Sequence, residues 1–135
     1  MSHFSTIKTK IKERPFLLEA LQLLQYDVKE DQELVITNPD HRADHPVVHA
    51  EVALSEDIGF RWNEKTESYD LYCDRGTWKL DVPVERFIDK VTQQYARMTI
   101  HNTVKEEGWQ VAEEWEMDDN SIELTVTRWN WENRV

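Results

Sequence analysis

The stretch "VVHAEVALSEDIGFRWNEKTESYDLYCD", residues 47–74, decides the fold. In its first third Val48, Ala50, Val52 and Leu54 alternate with Val47, His49, Glu51 and Ala53. The middle repeats the pattern, with Ile58, Phe60 and Trp62 set against Asp57, Gly59, Arg61 and Asn63. The last third sets Tyr69, Leu71 and Cys73 against Ser68, Asp70 and Tyr72. A period of two marks a half-buried strand, because successive side chains leave opposite faces of a pleated backbone. Three such runs joined by short polar turns read as an antiparallel meander.

The flanks complete the pattern. Ahead of the meander, "HFSTIKTKI" places Ile7, Thr9 and Ile11 on one side of a first strand. "ERPFLLEALQLLQY" then opens with Pro15, suited to a helical first turn, and puts Leu17, Ala20, Leu21 and Leu24 at helical spacing. Phe16 and Leu23 widen that stripe. "QELVITNPD" is a short strand ending in a turn-forming triplet.

Behind the meander runs a long helix. Asp81 is placed to cap it, Pro83 falls in its first turn, and Gly108 stops it. Val84, Phe87, Ile88, Val91, Tyr95 and Met98 form one face, whereas Ile100 and Val104 fall nearly opposite. The spacing therefore predicts a bend, or a second covering element over the last turns. "WQVAEEWEM" and "SIELTVTRW" close the chain as a hairpin, with Trp109, Val111, Trp115 and Met117 on one face interrupted by Glu113. The expectation is a single α+β domain over residues 1–135: a mostly antiparallel sheet of about seven strands with two helices on one face.

Composition narrows the function. Hydrophobic residues make up 39% and charged residues 32%, the balance of a globular chain with a wet surface. The net charge of −11 repels phosphate backbones and anionic lipid, so neither nucleic acid nor a membrane is expected as a partner. No apolar run reaches the ~20 residues of a membrane helix, and the N-terminus lacks the apolar core of a secretory signal. Cys73 is the sole cysteine, which rules out an internal disulfide and fits a reducing compartment.

The one stretch that looks like chemistry is "HRADHPVVHA", residues 41–50. His41, His45 and His49 recur every fourth residue, with Asp44 between two of them. A helix would gather the histidines on one face, but Pro46 inside it would cost ~3 kcal/mol. The expected form is a loop through His45 and a strand from Val47, with His49 and Glu51 on the polar side of the sheet. Ligands must converge within ~2.0–2.3 Å of one ion, so only a loop folding back would make a metal site of His41, His45, His49 and Asp44. That is the alternative reading. Trp62, Tyr69, Tyr72 and Tyr95 could line a small-molecule pocket, but their spacing matches the buried periodicities.

No glycine-rich phosphate loop, nucleophile elbow or zinc-protease motif is present, and no cofactor or catalytic residue is assigned. The tail "TRWNWENRV" places Trp129 on the side shared with Thr125 and Thr127, away from Ile122 and Leu124. Trp129, Trp131 and Arg128, with the acidic Glu113, Glu114 and Glu116, are the candidate partner-binding residues.

Several segments carry a family resemblance. "MSHFSTIKTKI", "DIGFRWN", "VERFIDKVTQQYA", "GWQVAEE" and "SIELTVTRW" resemble, in order and out to about residue 129, the small proteins called hypothetical chloroplast reading frame thirty-five. These form a domain family of unknown function in cyanobacteria and algal plastids, with bacterial and phage relatives. "KERPFLLEALQLLQYD" and "EKTES" depart from the family wording, and the histidine stretch matches none of its motifs. The resemblance implies a soluble protein of the cytoplasm or plastid stroma. It brings no accepted reaction, cofactor or catalytic residue. Because relatives are encoded near AAA-type ATPases, it implies a protein partner, with such an ATPase as one candidate.

Overall fold

The computed structural model describes residues 4–35, 47–119 and 121–128. The order is β1 (Phe4–Lys8), α1 (Arg14–Leu23), β2 (Lys29–Val35), β3 (Val47–Ser55), β4 (Ile58–Asn63), β5 (Ser68–Asp74), α2 (Val84–Glu106), β6 (Trp109–Glu116) and β7 (Ile122–Arg128). Fold class and element order agree with the sequence reading. The seven strands are divided, however, into a five-stranded antiparallel sheet, β1-β5-β4-β3-β2, and a separate β6-β7 hairpin.

The meander alternation does what its period demands. Ile58 and Phe60 from β4, and Tyr69, Leu71 and Cys73 from β5, turn toward the helices and are buried. Leu17 and Leu21 of α1 and Phe87 and Val91 of α2 close over them. Phe87 is the hub, with ring centroids 5.4 Å from Tyr26, 5.4 Å from Trp78 and 6.3 Å from Phe60. The edge-on pairs with Tyr26 and Trp78 add to the area they bury. Leu23, expected to widen the α1 stripe, is exposed instead.

One departure from the expected pattern shapes the sheet. A flat β3 would hold Val48, Ala50 and Val52 in a single layer. Val52 does join the helix-side core, but Val48 and Ala50 form a second cluster with Leu34 and Ala53, against which Tyr72 packs. The backbone explains the split. Val35 pairs with Val47 at the far end of the β2–β3 ladder, yet its N–H donates to the carbonyl of Glu56 at 3.0 Å. A straight strand could not bring residues 47 and 56 so close. β3 therefore bends sharply and folds the β2–β3 ladder over the sheet face opposite the helices. Where β3 leaves β4, the N–H of Trp62 donates to the Glu51 carboxylate at 2.5 Å.

Gly59 marks the pressure point. A Cβ there would meet the Cβ of Ala50 at 3.0 Å, the carbonyl oxygen of Val52 at 3.0 Å and Cδ1 of Leu34 at 3.1 Å. The start of α2 also departs from expectation. Pro83 occupies the N-cap with no side-chain cap, and Asp81 instead accepts a hydrogen bond from the Tyr26 hydroxyl at 3.1 Å. Burial and that carboxylate push the Tyr26 phenol up to about 12.

Gly59→Ala should destabilise the protein by about 1–3 kcal/mol through overpacking. The urea midpoint should fall at an unchanged slope. An undiminished midpoint would show that the folded-back ladder does not press on Gly59.

Candidate functional site

α2 ends with Glu107 as its C-cap, and Gly108 at φ 82° reverses the chain without a Cβ penalty. β6 then runs back along α2. Its alternation is broken once: the register with β7 shifts between Val111 and Glu113. Before the shift Val111 faces Val126, and after it Glu114 faces Leu124 and Glu116 faces Ile122. One extra residue in β6 thus exchanges the faces of everything that follows. Trp115 and Met117, expected to share a face with Val111, point the other way.

The inner face carries an ionic clamp. Glu114 Oε1 pairs with the Arg97 guanidinium, and Glu114 Oε2 lies 3.1 Å from His101 Nε2. Burial pushes the Glu114 carboxyl up, but Arg97 and His101 together outweigh it and hold the carboxyl below its ordinary value of 4.5. The hairpin packs along the last turns of α2 and half-buries Val104, but it leaves Ile100 exposed, so the expected second cover is only partial.

Two hollows flank this contact. On the β6 side a cleft of about 750 Å³ is lined by Phe16 and Glu19 from α1, Met98 and His101 from α2, and Trp109 and Val111 from β6. On the β7 side a hollow of about 500 Å³ is floored by Ala96, Ile100 and Ile122, with Asp89 and Asp119 at its margin. Volumes of this order suit a ligand or a few side chains of a partner. Sequence reading did not find the cleft, because its walls come from three separated segments. Val104, displaced from the helix stripe, was the available hint.

The other candidates fare differently. Glu113 and Glu116 are exposed on β6, while Glu114 is committed to the clamp. The backbone of Arg128 pairs with that of Trp109; Trp129 and Trp131 lie outside the described residues. His41, Asp44 and His45 lie outside them as well. His49 stands on the polar side of β3, its Nε2 3.4 Å from Asp31 and 3.9 Å from Glu51. Asp31 is itself held by Arg14 at 3.2 Å. Among the described residues no group of three or more histidine, cysteine or acidic side chains is placed to hold a metal ion.

The four aromatics considered for a pocket have structural roles. Tyr69 is core and meets Trp62 edge-on at 5.1 Å, Tyr72 packs in the opposite layer, and the Tyr95 hydroxyl accepts from the N–H groups of Lys12 and Glu13. Cys73 is buried, and burial pushes its thiol up, the reverse of what a nucleophile requires.

The clamp makes hairpin docking depend on acid. The Glu114 carboxylate is favoured by folding, so its contribution is complete above 4.5 and fades as pH falls from there through the lowered value. Arg97 and His101 are each over one-third exposed, so solvent screening keeps the contribution to about 1 kcal/mol. Hydrogen exchange of β6 amides, corrected for intrinsic rates, should speed up below pH 4.5. Glu114→Gln should remove that step; a step unchanged by the substitution would refute the clamp.

Comparison with known proteins places the chain. Residues 20–125 match the family described as "Protein of unknown function (DUF1257)". The chain is 33% identical over 133 residues to the "Uncharacterized protein ycf35" of Pyropia yezoensis, covering 97% of this chain and 100% of that protein. Identity to the protein of the same name from Guillardia theta is 31% over 133 residues, covering 96% and 98%. For that of Cyanophora paradoxa it is 30% over 132 residues, covering 97% and 100%. No solved structure matches the chain. The match to the family across most of the sequence, and to these relatives from end to end, shows that the chain belongs to the DUF1257 family alongside the ycf35 proteins.

Proposed function

We propose that this is a non-enzymatic accessory protein of the cytoplasm or plastid stroma. Its surface for a protein partner is the C-terminal hairpin with the last turns of α2. The distribution of exposed apolar side chains carries this reading. Among the described residues the large exposed hydrophobics are Leu23, Val35, Ile100 (41% exposed), Trp109 (38%), Trp115 (42%) and Met117 (39%). Four of the six lie on α2's last turns or on β6 and the turn after it, with Trp115 and Met117 on the outer face of the hairpin and Ile100 and Trp109 on its α2 side. Tryptophan and methionine left in water beside one another are the material of binding hot spots.

Charge defines the partner. Glu113, Glu116, Asp118, Asp119 and Glu123 are exposed around these apolar side chains, on a chain of net charge −11. A basic rim around an apolar centre is the complementary surface, and it would be steered in by the field. An AAA-type ATPase is one candidate. Arg128, Trp129 and Trp131 continue the chain from this region and belong to the proposed surface.

Affinity capture from a native host at low salt should return one partner in stoichiometric amount. It should be released as salt approaches ~1 M, where screening shortens to ~3 Å. The exposed pair Trp115→Ser/Met117→Ser should lose it. Capture of nothing specific by the wild type, or equal capture by the double variant, would overturn the reading.

A further inference from the structure

A two-stranded hairpin offers two free edges, and a five-stranded sheet offers two more. Each exposed edge is a template for another strand unless something blunts it. Three of the four are blunted. β1 is only five residues long. β2 carries Lys29, Glu30, Asp31 and Glu33, and Asp31 sits at φ 54°, which distorts the edge. β6 contains the bulge beyond Val111 and exposes Glu113 and Glu116. β7 differs: over Ile122–Arg128 it has no positive φ and no inserted residue, and its only charge before Arg128 is Glu123. Among the described residues it pairs with β6 alone.

What lies beside that edge is equally specific. Ile122, Leu124 and Val126 face inward toward α2 yet are only half-buried, while Glu123, Thr125 and Thr127 face out to solvent. Next to them Ile100 is exposed on α2, and Ala96, Ile100 and Ile122 floor the hollow bordered by Asp89 and Asp119. A strand laid along β7 would continue the inner apolar row over Ile100. Its alternate side chains would emerge beside Glu123 and Asp119. The net charge of −11 disfavours a second copy of this chain in that place.

We propose that β7 is a strand-addition edge: it accepts an extended segment of a basic partner protein that alternates apolar residues, turned toward Ile100, with lysine or arginine turned toward Glu123. The backbone hydrogen bonds would supply affinity and the alternation would supply selectivity. The inference rests on the interaction reading above, for which it names the mode of contact.

The test uses the whole protein and a seven-residue synthetic peptide, the length of β7, alternating valine and lysine. Alternate β7 amides should become protected from hydrogen exchange on addition of the peptide, while the outer β6 amides stay unchanged. A valine–glutamate peptide should bind at least about tenfold more weakly, since its charges oppose the acidic rim. Ile100→Asn, at an exposed position, should weaken the lysine peptide with the native amide spectrum retained. Binding without protection of β7 would be general charge attraction and would overturn the proposal. So would protected β7 amides in a peptide-free dimer, which would give the edge to a second copy. Natural partner capture that depends on Trp115 and Met117, with β7 unprotected by the peptide, would remove this inference and leave the interaction reading standing.

Discussion

One extra residue in β6 determines which side chains of the C-terminal hairpin face α2 and which face water. Side-chain direction in a strand has period two, so an insertion reverses every later assignment. Here it turns Glu114 inward to Arg97 and His101 and leaves Trp115 in solvent. Without the shift a tryptophan would lie on α2 and the carboxylate would face water. An isolated two-stranded hairpin is marginal. This one depends on α2, and the contact is part ionic and part apolar. Such a contact fixes position more than it adds stability, because the charges lose hydration in making it.

The five-stranded sheet solves a different problem. Helices cover one face, but the other would expose Gly59, Ala53 and Tyr72. The chain covers them by bending β3 until the β2–β3 ladder lies across them, bringing Leu34, Val48 and Ala50 into a second apolar layer. Glycine at position 59 is what lets that layer approach closely. The middle of the sheet is thereby covered on both faces with only two helices among the described residues, and the hairpin is left outside as a separate element.

Much of this could be read from the residues. The three meander strands, both helices and the closing hairpin follow from plain periods, since burial on one face imposes the period directly. The bend in β3 could not be read, because Val48, Ala50 and Val52 keep perfect alternation while belonging to two different layers. The β6 bulge left a trace: Glu113 interrupts the stripe of Trp109, Val111, Trp115 and Met117. A polar residue in an apolar row can mean either a tolerated charge or a slipped phase, and only the partner strand decides between them. Asp81 has a capping side chain at a plausible distance from the helix start, yet the Tyr26 hydroxyl takes it. A competing tertiary partner is invisible to local spacing. The cleft beside His101 was illegible for the same reason, being assembled from α1, α2 and β6.

On the proposed interaction reading, the acidity of the chain acquires a purpose beside this geometry. Scattered over a surface, a charge of −11 would do little except keep molecules apart. Near the hairpin the acids instead surround exposed tryptophan and methionine, which would otherwise invite indiscriminate apolar contact. Like charge excludes copies of the chain and most acidic neighbours, and opposite charge admits a basic surface and raises its encounter rate. At ~0.15 M salt the field reaches only ~8 Å, so selection acts at close approach, where the apolar side chains also begin to count. On the interaction reading proposed above, attraction and rejection are set by the same few residues.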